Sequence, residues 1–341
     1  MADVGRLTTT RTQGANTAPG SGGVVPRGVE LTTVTRTQGA NAALKSGEVV
    51  PRGVELAFTE IPVLVQGFRR MVRTLEFDIS EMALTTYLVA REHGVRFTAL
   101  PVFLVRGFHH GAIHVRPGSG VREPKDLEGR RVGVSRGYTV TTGVWARAIL
   151  REQYGVDLDR ITWVLSGDEH VEAYRPPRNV VPLGSDRTLV DALAADELAA
   201  VIGVNADTAA AAGFTPLIPN PEQAGYDALL ADGLYPINHL IVVRDELLDQ
   251  RPDLAADVFD AFTRAKDLYV QKLRNDTIAQ PTANDRMLRR VMELTYADPL
   301  PYGLEANRAI LERLIGHAVD QRILTRPRPL DELFAPVATT V

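Results

Sequence analysis

The stretch Pro124-Lys125-Asp126-Leu127-Glu128-Gly129-Arg130-Arg131-Val132-Gly133-Val134 decides the fold. Residues 124–129 read as a turn with a short helix, which delivers the chain into an apolar strand over 131–134. The pattern repeats outward from there. Downstream, a helix over 142–154 leads to a strand over 161–165, and a helix over 188–195 to a strand over 199–204. Upstream, 31–37 and 54–59 read as strands, and 63–75 as a helix with a basic face of Arg69, Arg70 and Arg73. A short strand over 77–79 follows, and Ser80 is positioned to cap a helix over 81–93. Strands over 98–105 and 112–115 precede the quoted stretch. Near the C-terminus a strand over 240–243 comes before two long helices, 255–274 and 307–321. Strands alternating with helices predict mainly parallel sheets, and 341 residues are too many for one small core. The expectation is an α/β protein of two lobes with a cleft between them. Two crossing segments near His110 and His239 assign residues 31–111 and 240–341 to lobe one and 112–239 to lobe two.

Composition narrows the function. With 45% apolar and 23% charged residues the chain has an ordinary globular balance. A formal net charge of −4 gives no footprint for a polyanion, so nucleic acid is not the expected partner. There is no cysteine, which removes disulfides, thiolate metal sites and a cysteine nucleophile. No apolar run approaches the roughly 20 residues of a membrane span, so no membrane partner is expected. Residues 1–30 are rich in Thr and Gly and lack the apolar segment of a secretory signal, so a cytoplasmic location is expected.

The opening of the chain is duplicated. Residues 11–31 and 36–56 match at 17 of 21 positions at an offset of 25. Two copies do not make a solenoid. The second copy contains Ala42-Ala43-Leu44-Lys45, good helix formers, where the first has Thr17-Ala18-Pro19-Gly20, which breaks a helix. The second copy is therefore read as the working strand–helix–strand start of the fold. The first, residues 1–30, is read as a redundant extension, dispensable for the cleft.

Five segments place polar or ionisable residues beside predicted strand ends or helix starts. They are Phe77-Asp78-Ile79-Ser80-Glu81-Met82, Arg106-Gly107-Phe108-His109-His110, Thr141-Thr142-Gly143-Val144-Trp145-Ala146-Arg147, Tyr235-Pro236-Ile237-Asn238-His239 and Pro301-Tyr302-Gly303-Leu304-Glu305-Ala306-Asn307-Arg308. In an open α/β fold such places converge on one cleft. A cleft rich in His and Arg suits a small carboxylate-bearing molecule. The His and Glu types present also occur as metal ligands, but no spacing matches a zinc pattern such as H-E-x-x-H, and no metal or other cofactor is expected. Walker A, Rossmann glycine and G-x-S-x-G signatures are absent.

Lys125-Asp126-Leu127-Glu128-Gly129-Arg130-Arg131-Val132-Gly133-Val134 resembles the start of the second lobe in type II periplasmic-binding-protein folds. Glu81-Met82, Arg106-x-Phe108-x-His110, Thr141-x-x-x-Trp145-x-Arg147, Pro236-Ile237-x-His239 and Tyr302-Gly303-Leu304-Glu305-x-Asn307-Arg308 together resemble the 4,5-dihydroxyphthalate decarboxylase family. The resemblance covers about residues 31–336. It implies two α/β lobes joined by a two-stranded hinge, a ligand in the cleft, and loss of CO2 from a hydroxylated aromatic dicarboxylate. Ala83, His109, Thr142 and Asn238 depart from the family's usual residues at presumed cleft positions, which bears on the substrate rather than on the fold.

Decarboxylating a phenolic acid requires holding the carboxylate and protonating the ring carbon that bears it. A His is the natural proton donor near neutral pH, and Arg is the natural carboxylate clamp because its planar fork binds bidentately. His110 and His239 are the candidate acids, each alternatively a hinge residue bonded to backbone. Strand alternation sends neighbours to opposite faces, so only one of His109 and His110 is expected in the cleft, and the resemblance favours His110. Arg106 and Arg147 are the candidate clamps, with a surface ion pair to Glu152 or Asp168 as the plainer reading of Arg147. Thr141 and Thr142 at a helix N-terminus suit an anion, or simply cap the helix. Glu81 either bonds a phenol or orients a His, or is a first-turn acid favoured by the helix dipole. Trp145 stacks on the ring or belongs to the core. His109, Asn238 and Tyr302 complete the candidate substrate contacts. The leading expectation is a cofactor-independent decarboxylase of a phthalate-like or related cyclic carboxylic acid. The alternatives are a non-catalytic solute-binding protein for an aromatic acid, or a dehydratase-type enzyme on the same fold. Association into a homo-oligomer is compatible with each.

Overall fold

In a computed structural model, which describes residues 28–184 and 186–337, the strands sort into two sheets. The first holds β1 (Val29–Val34), β2 (Val54–Phe58), β3 (Ile79–Ala83), β4 (Phe97–Arg106) and the late β11 (Ile237–Arg244), in the order β2-β1-β3-β11-β4. The second holds β5 (Ile113–Val115), β6 (Arg131–Val134), β7 (Thr162–Leu165), β8 (Val180–Pro182), β9 (Ala200–Ile202) and β10 (Thr215–Pro216), in the order β10-β5-β9-β6-β7-β8. Both sheets are mixed: two of four pairings in the first are parallel, and three of five in the second, which is the more parallel of the two. β1 pairs in parallel with β2 and β3, but β11 runs antiparallel to β3 and β4. β6 is parallel to β7 and β9, whereas β5 is antiparallel to β9 and β10. The antiparallel members sit where the chain passes between sheets. It leaves the first at the end of β4 and returns at the start of β11. Arg106 faces Ile237 in the ladder there, and the Gly107 N–H donates to the Pro236 carbonyl at 3.2 Å.

The inner strands are apolar on both faces because helices cover both. Leu240 to Val243 of β11 are fully buried, as are most of the residues of β4. The quoted stretch folds as read: a 3-10 turn over Pro124–Leu127 leads into β6, and the helix Thr141–Tyr154 follows. The late helix Arg308–Asp320 lies against Thr141–Tyr154, with Arg313 paired to Glu152 at 2.6 Å, so the C-terminal segment braces the second lobe as well as the first.

The duplication has a structural consequence at its end. Most of residues 1–30 lie outside the described residues, but Val29 and Glu30 belong to β1, not to an extension. β1 and β2 are the matching tails of the two copies, paired in parallel as Val29 with Val54, Glu30 with Glu55 and Leu31 with Leu56. The repeat offset is thus the strand register. Gly28 lies so close to Gly53 that a Cβ on Gly28 would meet that backbone at 2.8 Å, which keeps position 28 at glycine, while Gly53 is favoured by its own φ of 66°.

One element differs from the reading in a way that matters for function. Ser80 does not cap a helix. Ile79–Ala83 is a strand buried at every position, and the helix begins at Leu84. Two polar residues in mid-strand are tolerated because both are satisfied. The Ser80 hydroxyl donates to the Glu81 carbonyl at 2.8 Å, and the Glu81 carboxylate finds partners across the sheet.

Candidate active site

Glu81 is fully buried, and an unpaired carboxylate there would be costly. Its neighbours in the sheet supply the donors. The Arg36 backbone N–H, just past β1, donates to Oε2 at 2.9 Å, and Nδ1 of His239 in β11 lies 2.6 Å from Oε1. The antiparallel register sets His239 opposite Ala83 and Ile241 opposite Glu81. Side-chain alternation then puts Glu81 and His239 on one face. An ionised carboxylate only accepts, so Nδ1 carries the hydrogen, and Nε2 is the nitrogen left to act on a ligand. The His239 side chain is 20% exposed, so it is the accessible end of the pair. Phe68 stands edge-on to its ring, with centroids 5.2 Å apart.

The second lobe meets the first beside this pair. The Thr85 hydroxyl donates to the Thr139 carbonyl at 2.5 Å, and the Thr85 N–H donates to the Thr141 hydroxyl at 3.1 Å. His170 Nδ1 lies 2.9 Å from the Thr86 hydroxyl, and its ring is 6.3 Å from that of Phe68. Arg69 and Arg73 of the helix Leu64–Thr74 reach Asp168 at 2.5 and 3.0 Å. Arg136, at φ 68° after β6, adds another cation. Burial, then the nearby Arg69, holds its guanidinium below the ordinary value.

The other candidates are engaged elsewhere. The anion site expected ahead of the helix Thr141–Tyr154 is filled by the protein's own Glu169, whose carboxylate accepts from the Tyr138 N–H at 2.5 Å, the Thr139 N–H at 3.2 Å and the Thr139 hydroxyl at 2.6 Å. Thr142 is half-buried at the first turn of that helix, its methyl carbon near Gly203. Arg147 is not a surface ion pair. Fully buried, it donates to Gln321 at 2.7 Å and to the Tyr138 carbonyl at 2.6 Å, and lies 3.9 Å over the Tyr138 ring. Arg106 is buried across the hinge, donating to the Tyr235 carbonyl at 3.0 Å and to the Asn307 amide oxygen. Burial pushes its guanidinium down to about 10. Trp145 is a core residue whose indole N–H donates to the Ile237 carbonyl at 3.0 Å. His110 is sealed against the helix Thr141–Tyr154, 2.9 Å from Gln153, while His109 hydrogen-bonds Asn238 at 2.8 Å and so ties the two crossing segments together. Tyr302 is buried with its hydroxyl unpaired, beneath Lys266. Among the described residues no group of three or more His, Asp or Glu side chains is arranged to hold a metal ion.

Sequence reasoning missed Arg36, Phe68, Arg136, Glu169 and His170. Arg36, Arg136 and the 168–170 segment each follow a strand, so the strand-end rule that selected Arg106 would have found them. Arg36 lies past the end of β1, which stops at Val34 rather than at residue 37.

Burial pushes the imidazoles of His109 and His170 down to about 4, aided at His170 by Arg69 and Arg136. Between about pH 6.5 and 4 the unfolded chain binds protons that these two folded sites refuse. Stability is then complete above pH 6.5 and declines as pH falls, by about 2 kcal/mol for each His at pH 5. Urea midpoints at pH 7.5 and pH 5 should show this drop, and His170→Gln should remove part of it. A midpoint independent of pH over that range would show that both rings accept protons in the folded state.

No protein-family model matches the chain. Two curated relatives do. A 4,5-dihydroxyphthalate decarboxylase of Comamonas testosteroni is 30% identical over 284 residues, covering 80% of this chain and 86% of that protein. Another of the same name from Pseudomonas putida is 35% identical over 173 residues, covering 47% of this chain and 66% of that one. Among solved structures, the desulfurization enzyme DSZB shares 19% identity with a TM-score of 0.53, covering 90% of this chain and 96% of that one. The periplasmic aliphatic sulphonate binding protein SsuA of Escherichia coli shares 12% identity with a TM-score of 0.51, covering 91% and 98%. These structures establish the two-lobed periplasmic-binding-protein-like fold, on which both a binding protein and an enzyme are built. The match to the Comamonas protein extends over most of both chains, and on that basis this chain belongs to the 4,5-dihydroxyphthalate decarboxylase family, a family of carboxy-lyases.

Proposed function

We propose that the protein removes CO2 from a hydroxylated, phthalate-like aromatic acid without a cofactor, with His239 as proton donor and Glu81 as the group that orients it. The observation that carries this reading is the 2.6 Å hydrogen bond between Glu81 and Nδ1 of a partly exposed His239 at the lobe junction. The family supports the reaction class, since a relative named for it matches over 80% of the chain.

In the reaction, a ring hydroxyl para to the departing carboxylate raises electron density at the carbon that bears it. That carbon takes the proton from Nε2 of the His239 imidazolium, using a ring π pair. The bond to the carboxylate then breaks, its electrons restore the aromatic ring, and CO2 leaves. The carbon–carbon bond is replaced by a carbon–hydrogen bond, so no oxidant or reductant is needed. Glu81, accepting from Nδ1, holds the ring in one orientation and offsets its positive charge while the proton is donated. The pair thus has the form of a general acid and its orienting carboxylate, which a passive receptor does not require.

A panel of benzoates and phthalates, with and without ring hydroxyls, tests the reading by CO2 release. Release should require a hydroxyl placed to donate to the carboxylated carbon. Binding of the panel without release from any member would make the protein a receptor.

A further inference from the structure

Two loops of the second lobe meet the first lobe beside His239. They follow β6 and β7, parallel neighbours that pair Val134 with Leu165, so both loops stand at the C-terminal ends of strands, where α/β sheets place ligands. Arg136 is in the first loop, and Asp168 and His170 are in the second. Contacts connect these loops to the proposed donor. Asp168 accepts from Arg69 at 2.5 Å, Arg69 follows Phe68 in its helix, and the Phe68 ring stands edge-on to both His239 and His170.

Of the three arginines at this corner, two are matched. Arg69 and Arg73 share Asp168, and Arg73 also pairs with Glu172 at 3.0 Å. Glu169 is engaged by the Tyr138 N–H and by Thr139. The Arg136 side chain has no ion-pair or hydrogen-bond partner among the described residues. It is near the others, since Arg69 opposes its charge and it in turn opposes a proton on His170. Arg69 Nε and His170 Nε2 are also buried without a hydrogen-bond partner. An unpaired cation and two unpartnered nitrogens, beside carboxylates already taken, call for an anionic acceptor. The backbone points the same way. Arg136 is held at φ 68°, in the left-handed region that a residue with a Cβ adopts only at a cost. Its N–H donates to the Ser166 hydroxyl at 2.9 Å, and Gly167 leaves it room, because a Cβ there would stand 3.3 Å from the Arg136 Cα. A strained residue whose charged group serves no contact within the fold points to a ligand.

We infer that Arg136 is a substrate-binding residue of the second lobe, whose guanidinium takes a carboxylate of the aromatic acid and so holds the ring across the lobe junction, toward Nε2 of His239 in the first lobe. The inference rests on the proposed decarboxylase reading and deepens it. Binding and proton donation then come from different lobes, so the substrate itself ties the two together. Arg106 and Arg147, by contrast, already donate to the protein's own oxygens.

Phthalate, which lacks the activating hydroxyls, probes binding alone by calorimetry on the full chain. CO2 release from 4,5-dihydroxyphthalate gives KM and kcat, and urea midpoints report stability. Arg136→Gln and Arg136→Gly should each weaken phthalate binding by about tenfold or more and raise KM more than they lower kcat. Arg136→Lys, which keeps the charge, should recover part of both. Arg136→Gly should leave the urea midpoint unchanged or raise it, because glycine adopts that φ freely, whereas loss of a structural arginine would lower it. Arg131→Gln, at the exposed opposite end of β6, controls for loss of a lobe-two charge and should change none of these. Phthalate affinity unchanged in Arg136→Gln would overturn the assignment, as would an equal loss in Arg131→Gln, a midpoint that falls together with binding in Arg136→Gly, or a wild-type protein that does not bind phthalate. The two readings separate cleanly. CO2 release with KM and phthalate affinity indifferent to Arg136 refutes the inference and leaves the decarboxylase standing. Phthalate binding that depends on Arg136, without CO2 release from any acid, supports the anion site and refutes the decarboxylase.

Discussion

His239→Gln should lower turnover by roughly 10²–10⁴-fold, the usual contribution of a positioned general acid. Substrate affinity should change far less, because the amide keeps a hydrogen-bonding group near the Glu81 carboxylate while removing the transferable proton. The geometry makes a second variant informative. Glu81 Oε1 accepts from Nδ1 and Oε2 from the Arg36 N–H, so Glu81→Gln keeps the shape but introduces an amide N–H where an acceptor is needed. Turnover should fall again, with the imidazole no longer held in its tautomer. The double variant should be little worse than the worse single one, since residues that act as a unit are non-additive. Steady-state kinetics on the four proteins checks this. Near-normal turnover in His239→Gln would move the donor elsewhere, with His109 and His110 the next to examine.

Arg147→Ala should destabilise the protein by about 3–5 kcal/mol, as removal of a large buried side chain does. The guanidinium lies between the Tyr138 and Trp163 rings, and its loss strands the Gln321 amide oxygen and the Tyr138 carbonyl in the interior. The expected phenotype is a large fall in denaturation midpoint. A clamp would give the opposite pattern, a normal midpoint with weakened substrate binding. Denaturation and calorimetry on the same sample distinguish the two.

Much of the architecture was legible because its signals are local. The quoted turn, β6, β7 and β9 are apolar runs set between helix patterns, and they occur close to where periodicity places them. β3 departs from the sequence expectation because Ser80 and Glu81 carry the local signature of a helix start. Their true environment is supplied by Arg36 and His239, 45 and 158 residues away, and no window of sequence contains that information. The same limit governs the arginines. An Arg near a strand end can meet a substrate carboxylate or a protein carbonyl, and only the packed structure shows Arg106 at the Tyr235 carbonyl and Arg147 at Tyr138. The site residues Glu81 and His239 were each visible as titratable groups at suggestive places. Their pairing was fixed by the β3–β11 register, a long-range property.

CO2 release from 4,5-dihydroxyphthalate, followed with chelator-treated wild-type and His239→Gln proteins, tests the central claim most directly. The proposal predicts stoichiometric CO2 and 3,4-dihydroxybenzoate from the wild type, with the variant slower by roughly two orders of magnitude or more. Equal release by both proteins, or release that stops on chelation and returns with a divalent ion, would contradict it.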